Sequence, residues 1–155
     1  MSVPVGSQAP DVTLKDQDMQ EVTLGAAFSR RNTVLAFFPA AFTSVCTKEL
    51  CTFRDQLAQL NQANAQIYGI SVDTPFTLKV FREQNGLNFP LLSDFNKQAI
   101  TAYGVFLDDL VGLKGVAKRA VFLVDTRGIV RYAEVTATPG TEPDYAKLRA
   151  AIAVL

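Results

Sequence analysis

The sequence predicts an α/β fold, with a mixed central sheet flanked by helices and a β-hairpin added at the N-terminus. Three observations carry this reading. Short apolar runs, Val34–Phe38, Gln66–Val72 and Ala120–Val124, have the length and continuity of strands buried on both faces. Between them lie stretches with apolar residues at helical spacing, bounded by cap residues and glycines. No Gly-rich phosphate loop follows any of the strands, which counts against a doubly wound nucleotide binder.

Taken in order, residues 1–10 form an extended lead-in, because Pro4 and Pro10 discourage helix. Val12–Leu14 and Val22–Leu24 alternate apolar and polar residues around the polar turn Asp16–Gln20, a hairpin pattern. Ala26–Arg31 suits one helical turn. Val34–Phe38 is the central strand, stopped by Pro39. After a polar cluster, Leu50, Phe53, Leu57 and Leu60 mark one face of a helix whose first turn holds Cys46.

Gln66–Val72 is the next strand, and Asp73-Thr74-Pro75 signals the start of a helix through Asn85, stopped by Gly86. Leu91–Ser93 is a short strand and Gln98–Tyr103 a short helix ending at Gly104. Residues 108–118 suit a loop or short edge piece. Ala120–Val124 and Ile129–Val135 flank the turn Asp125–Gly128 as an antiparallel pair. Asp144–Val154 closes the chain as a helix with Tyr145, Leu148 and Ile152 on one side. The β-α-β-α-β-α order, then a hairpin and a last helix, resembles the thioredoxin-like fold.

With 155 residues, 48% of them hydrophobic, residues 1–155 are expected to form one domain with a full core. Fifteen basic and fifteen acidic residues balance, so charge gives no case for nucleic acid or an anionic membrane. The first ten residues lack a basic segment and a long apolar core, and no apolar run approaches the ~20 residues of a spanning helix. Cytoplasm is the expected location. The chain has no His, which removes Cys-His and Ser-His-Asp machinery and most zinc sites. Its two cysteines, Cys46 and Cys51, stand in a C-x4-C spacing that fits neither a zinc half-site nor a C-x-x-C redox motif.

Cys46 is therefore the focus. Unpaired N–H groups and the positive end of the dipole favour an anion at a helix start, and a thiolate is a strong nucleophile. The bland alternative is that a cysteine on an apolar helix face packs as a small hydrophobe. Thr43 suits a helix N-cap, and Glu49 a first-turn acid favoured by the dipole. Phe38 and Phe42 suit either a core or the rim of an apolar pocket.

The run Pro39-Ala-Ala-Phe-Thr43-Ser-Val-Cys46 matches the P-x-x-x-T-x-x-C motif of the peroxiredoxins. Pro90–Phe95, Ala102–Phe106 and Lys118–Asp125 also resemble that family, and together they are most similar to its alkyl hydroperoxide reductase E branch. Many members carry an acid and a second proline in the cysteine loop. Ala41 and Ser44 stand there instead, which fits the E branch better than the bacterioferritin-comigratory (Q-type) branch.

The resemblance implies a thiol-dependent peroxidase that needs no metal or other cofactor. Cys46 would be the peroxidatic nucleophile and Thr43 would offer its hydroxyl to sulfur and peroxide. The backbone N–H groups of Cys46 and Val45 would add donors, and Phe38 and Phe42 would wall the substrate, hydrogen peroxide or an organic hydroperoxide. Arg119 would hold sulfur and peroxide, Glu49 would orient Arg119, and Pro39 would roof the site. Reduction of an O–O bond by sulfur builds negative charge on the departing oxygen, so such donors are what the chemistry requires.

Cys51 resembles the resolving cysteine of Q-type enzymes, whereas the E branch typically runs on one cysteine. On an intact helix, Cα atoms five residues apart lie ~8.6 Å from each other, beyond the ~7 Å limit for a disulfide, so pairing requires unwinding. A one-cysteine enzyme, or a peroxide sensor or chaperone in which Cys51 is structural, stays open. A thioredoxin-, glutaredoxin- or mycoredoxin-like dithiol would be the reductant. A homodimer is implied, with Val105–Val116 and the region of Phe42 as contacts.

Overall fold

A computed structural model covers residues 1–155. The chain runs β1 (Thr13–Asp16), β2 (Glu21–Thr23), α1 (Leu24–Arg30), β3 (Asn32–Phe37), α2 (Ser44–Gln62), β4 (Ala65–Ser71), α3 (Pro75–Gln84) and β5 (Leu91–Ser93). It continues with α4 (Gln98–Ala102), β6 (Phe106–Leu107), β7 (Val116–Ala117), β8 (Ala120–Val124), β9 (Val130–Val135) and α5 (Tyr145–Ala153). Seven strands form one mixed sheet in the order β2-β1-β5-β4-β3-β8-β9, and β6 pairs with β7 apart from it. Within the sheet β3, β4 and β5 are parallel, while β8 runs antiparallel to β3 and β9 to β8. The thioredoxin-like arrangement is thus present, with the β1–β2 hairpin at the edge.

From Val34 onward strand β3 is apolar, because both of its faces are covered. Side chains alternate across a strand, so Leu35 and Phe37 enter one core with Leu24, Phe28, Tyr103 and Phe122. Val34, Ala36 and Phe38 enter the other, with Leu50 and Phe53 of α2, Leu78 and Phe81 of α3, and Leu148 and Ile152 of α5. Cys46 belongs to this second core. The central strand therefore serves two packed layers and delivers the chain, at its C-terminal end, to the loop that precedes α2.

One boundary differs from the sequence reading. Leu24 begins α1 rather than ending a strand, because Asp11 reaches in from outside the helix and accepts from Gly25 N–H at 2.8 Å. That carboxylate satisfies one of the otherwise unpaired donors of the helix start. It sits so close that a Cβ on Gly25 would come within 2.7 Å of it and push the carboxylate off the helix start. Residues 108–118, expected as a loop or short edge piece, include β7, which pairs with β6 as a two-residue ribbon. No helix is long and apolar enough to cross a membrane.

Candidate active site

The site begins where β3 ends. Phe38 N–H still bonds to Ile70 O at 3.0 Å, and Pro39, buried, then breaks the ladder. The loop from Pro39 to Thr43 is fastened from a distance. Asp73, just past β4, accepts from Ala41 N–H at 2.8 Å and from the Ser71 hydroxyl at 2.6 Å, while its own carbonyl accepts from Ser93 Oγ at 2.6 Å. Phe42 is held at φ +67°, a conformation costly for a bulky residue and sustained only by surrounding contacts. Its ring lies edge-on to Phe81 with centroids 5.1 Å apart.

Thr43 then caps α2 by position, and the first intrahelical bond runs from Thr47 N–H to Thr43 O. The N–H groups of Ser44, Val45 and Cys46 therefore have no acceptor within the helix. Cys46 lies in this first turn, 1% exposed, and its Sγ is 3.1 Å from Nη2 of Arg119. A guanidinium carries donors only, so the sulfur is the acceptor in that contact.

Arg119 enters from the short link between β7 and β8 and is itself 2% exposed. Each of its three nitrogens has one partner. Nη2 faces Cys46, Nη1 donates to Oε2 of Glu49, and Nε donates to Pro139 O at 2.8 Å. The loop after β9 completes the clasp, since Thr136 N–H bonds back to Arg119 O at 3.0 Å. Burial works against charge on the guanidinium, but Glu49 and Cys46 outweigh it and hold its pKa above the ordinary value.

Glu49 follows Cys46 by nearly one turn and is wholly buried, with its Oε1 unpaired. Burial pushes its carboxyl up to about 7, against the opposing pull of Arg119, and the charges of Glu142 and Glu134 push the same way as burial.

These positions bring together Cys46, Glu49 and Arg119, with Thr43 and Pro39 on the adjoining loop. Thr43 Oγ1 donates to Ala40 O at 2.8 Å rather than to the sulfur. Its one O–H is thereby spent, so toward another hydroxyl it can act only as an acceptor while that bond persists. Phe38 corrects the expectation of a substrate wall. It is 0% exposed and packs against Phe81 inside the core, because the strand register turns it toward α2 and α3. Of the two, Phe42, at 51% exposed, is the ring that reaches the surface, and Val45 in the first turn of α2 is half-buried.

Cys51 is half-buried on the same unbroken helix and is a free thiol, as is Cys46. Its sulfur lies near Asn85 of the α3 terminus, 3.9 Å from Oδ1.

Sequence reading missed Asp73, taken there for part of a helix cap, and the Pro139 carbonyl. Neither has a local signal. The Asp73 contact spans 32 residues, and a backbone acceptor is indifferent to side-chain type. The sulfur is also enclosed, with Cys46 and Arg119 both buried, and a small cavity of about 130 Å³ borders Arg119 beside Thr136 and Pro139. A sulfur so enclosed suits attack on a small, unhindered terminal atom.

Comparison with known proteins gives the same answer from another direction. The AhpC/TSA family pattern matches residues 5–133. Alkyl hydroperoxide reductase E of Mycobacterium tuberculosis is 42% identical over 153 residues, covering 97% of each chain. A putative peroxiredoxin of the same organism is 40% identical over 131 residues, or 83% of each chain. The crystal structure of peroxidoxin BcpB from M. tuberculosis superimposes with a TM-score of 0.87 at 30% identity, over 100% of this chain and 98% of that one. A buried cysteine facing an arginine at a helix start, on this sheet and with these relatives, leaves one conclusion: the chain belongs to the AhpC/TSA family and is a peroxiredoxin.

Proposed function

We propose that the protein reduces hydrogen peroxide and organic hydroperoxides through a Cys46 thiolate that becomes a sulfenic acid. The observation that carries this reading is the buried Arg119 fork, one arm on Cys46 Sγ and the other on Glu49. The sulfur attacks the terminal peroxide oxygen, the S–O bond forms as O–O breaks, and the electron pair leaves on the second oxygen. Arg119 and the free N–H groups of Val45 and Cys46 stabilise that charge as it develops. Thr43 accepts the peroxide O–H, which orients the molecule for in-line attack. Pro39 covers the sulfur against bulk water, and Phe42 offers apolar contact to an organic substituent.

In this reading Cys51 is the resolving thiol. The first turns of α2 unwind, Cys51 condenses with the sulfenic acid, and a thioredoxin-, glutaredoxin- or mycoredoxin-like dithiol reduces the disulfide. A second reading, a one-cysteine peroxidase or a peroxide sensor, is favoured by the unbroken α2 and by the packing of Cys51 against Asn85. A homodimer in the cytoplasm is the proposed setting. Phe42, Phe106, Val111 and Leu113 are exposed apolar residues within the proposed contact regions, which supports pairing there.

Peroxide turnover with thioredoxin supplied, in wild type, Cys46→Ser and Cys51→Ser, tests the scheme. Turnover falls to background in Cys46→Ser. Loss in Cys51→Ser as well, with the first oxidation surviving, marks the two-cysteine cycle. Full turnover in Cys51→Ser marks the one-cysteine enzyme, and turnover in Cys46→Ser overturns the peroxidase reading.

A further inference from the structure

Glu49 carries more than the orientation of Arg119. One buried guanidinium serves two groups that can each bear a negative charge, Cys46 and Glu49, and its third nitrogen is committed to a backbone carbonyl. No second cation relieves them. Lys48, on the same helix, is spent on Glu142 at 3.1 Å. The other titratable groups facing Glu49 are acids or phenols: Glu134 from β9, Glu142 from the loop before α5, and Tyr145 at the start of α5. Glu134 in turn accepts from Tyr132 of β9, and Glu142 from Tyr145.

Two buried anions sharing one cation leave an uncompensated charge away from water, which is costly. The orphaned oxygen shows where that cost falls. Oε1 of Glu49 is buried with no partner, a poor place for half of a carboxylate and a better one for a proton. Burial raises the affinity of this carboxyl for a proton in the same sense.

We propose that Glu49 stores the proton that peroxide reduction consumes, protonated while Cys46 is a thiolate and ionised once the sulfur is a sulfenic acid. This rests on the peroxidase reading above. The step balances: thiolate, hydroperoxide and the Glu49 carboxylic acid give sulfenic acid, alcohol and the Glu49 carboxylate. The S–O bond forms, the O–O bond breaks, the departing oxygen takes a proton, and the buried negative charge passes from sulfur to Glu49. Arg119 keeps one anionic partner throughout. Glu49 is thus a positioning residue that acts through Arg119 and also holds the charge of the site constant. When a dithiol restores the thiolate, Glu49 takes its proton back.

The test is proton uptake during oxidation by one equivalent of hydrogen peroxide, in weakly buffered solution slightly below neutral pH, followed with a pH indicator. Mass measurement of the Cys46 product runs alongside. Later condensation with the neutral Cys51 thiol releases only water and leaves the count unchanged. Wild type draws almost no proton from the medium, whereas Glu49→Gln draws about one per sulfur oxidised, by proton linkage. Infrared difference spectra of wild type, oxidised minus reduced, lose the carbonyl band of a protonated carboxyl, a readout that does not depend on the variant folding. Equal uptake in the two proteins, whether none or one, or a carboxyl band unchanged on oxidation, overturns the assignment. A wild-type Cys46 that peroxide does not oxidise at all overturns the peroxidase reading and this assignment with it.

Discussion

Cys46 and Cys51 share one helix and one side-chain type, yet they stand in opposite chemical settings. Cys46 lies in the first turn, enclosed, facing a guanidinium and near N–H groups that the helix leaves unpaired. Cys51, farther along, has neither. Its helix N–H is part of the continuous ladder, and its sulfur meets an amide of α3. What separates the two sulfurs is the placement of donors, and position along the helix sets that placement.

Removing Arg119 erases this contrast and has the largest effect of any single change short of removing Cys46. In Arg119→Met the buried sulfur loses its donor and ion partner, and Oε2 of Glu49 loses the donor it accepts from. Stability falls by about 3–5 kcal/mol, measured by urea unfolding, as for other broken buried pairs. Asp73→Ala comes next. It removes the acceptor of Ala41 N–H and Ser71 Oγ, so the Pro39–Thr43 loop and the strained Phe42 lose their fastening. The oxidation of Cys46 slows by about tenfold, as expected for a modest misplacement of positioned groups. Stopped-flow with hydrogen peroxide reads it. Wild-type rates would show that the loop holds its shape without Asp73.

The pH dependence of stability sharpens the role of Glu49. Its carboxyl titrates near 4.5 when unfolded and at about 7 when folded, so between these values the folded state binds more protons. Stability from this group is therefore full below the lower value and declines as pH rises toward the upper one. Melting temperatures across that window decline more steeply in wild type than in Glu49→Gln, and the two profiles run parallel above it. Parallel profiles throughout would show that Glu49 is ionised in the folded state. Cys51→Ser gives the smallest effect. The first oxidation of Cys46 proceeds at the wild-type rate, because nothing in the Arg119 fork touches residue 51.

Much of the fold was legible because buried strands and amphipathic helices announce themselves through periodicity. Val34–Phe38 and Ala120–Val124 read as strands from composition alone, and Leu50, Phe53 and Leu60 marked the buried side of α2. Leu24 misled because its helix is capped by Asp11, which no local pattern reveals. Phe38 misled for a different reason. A strand apolar on both faces does not say which of its residues ends near a surface. In the site, Cys46 and Thr43 were legible from local chemistry, whereas Arg119 lies 73 residues from Cys46 and entered only through family resemblance. The unpaired Oε1 of Glu49 is a property of packing and has no counterpart in the sequence.

The most direct test is the second-order rate constant for oxidation of Cys46 by hydrogen peroxide, compared in wild type and Arg119→Lys. Lysine keeps the positive charge but lacks the planar fork that spans the sulfur, the Glu49 carboxyl and the Pro139 carbonyl together. The rate constant falls by about a hundredfold, the scale of losing one positioned charge-stabilising donor. A lysine variant that reacts as fast as wild type would contradict the account, since charge alone would then suffice and the three-way fork would be incidental to the chemistry.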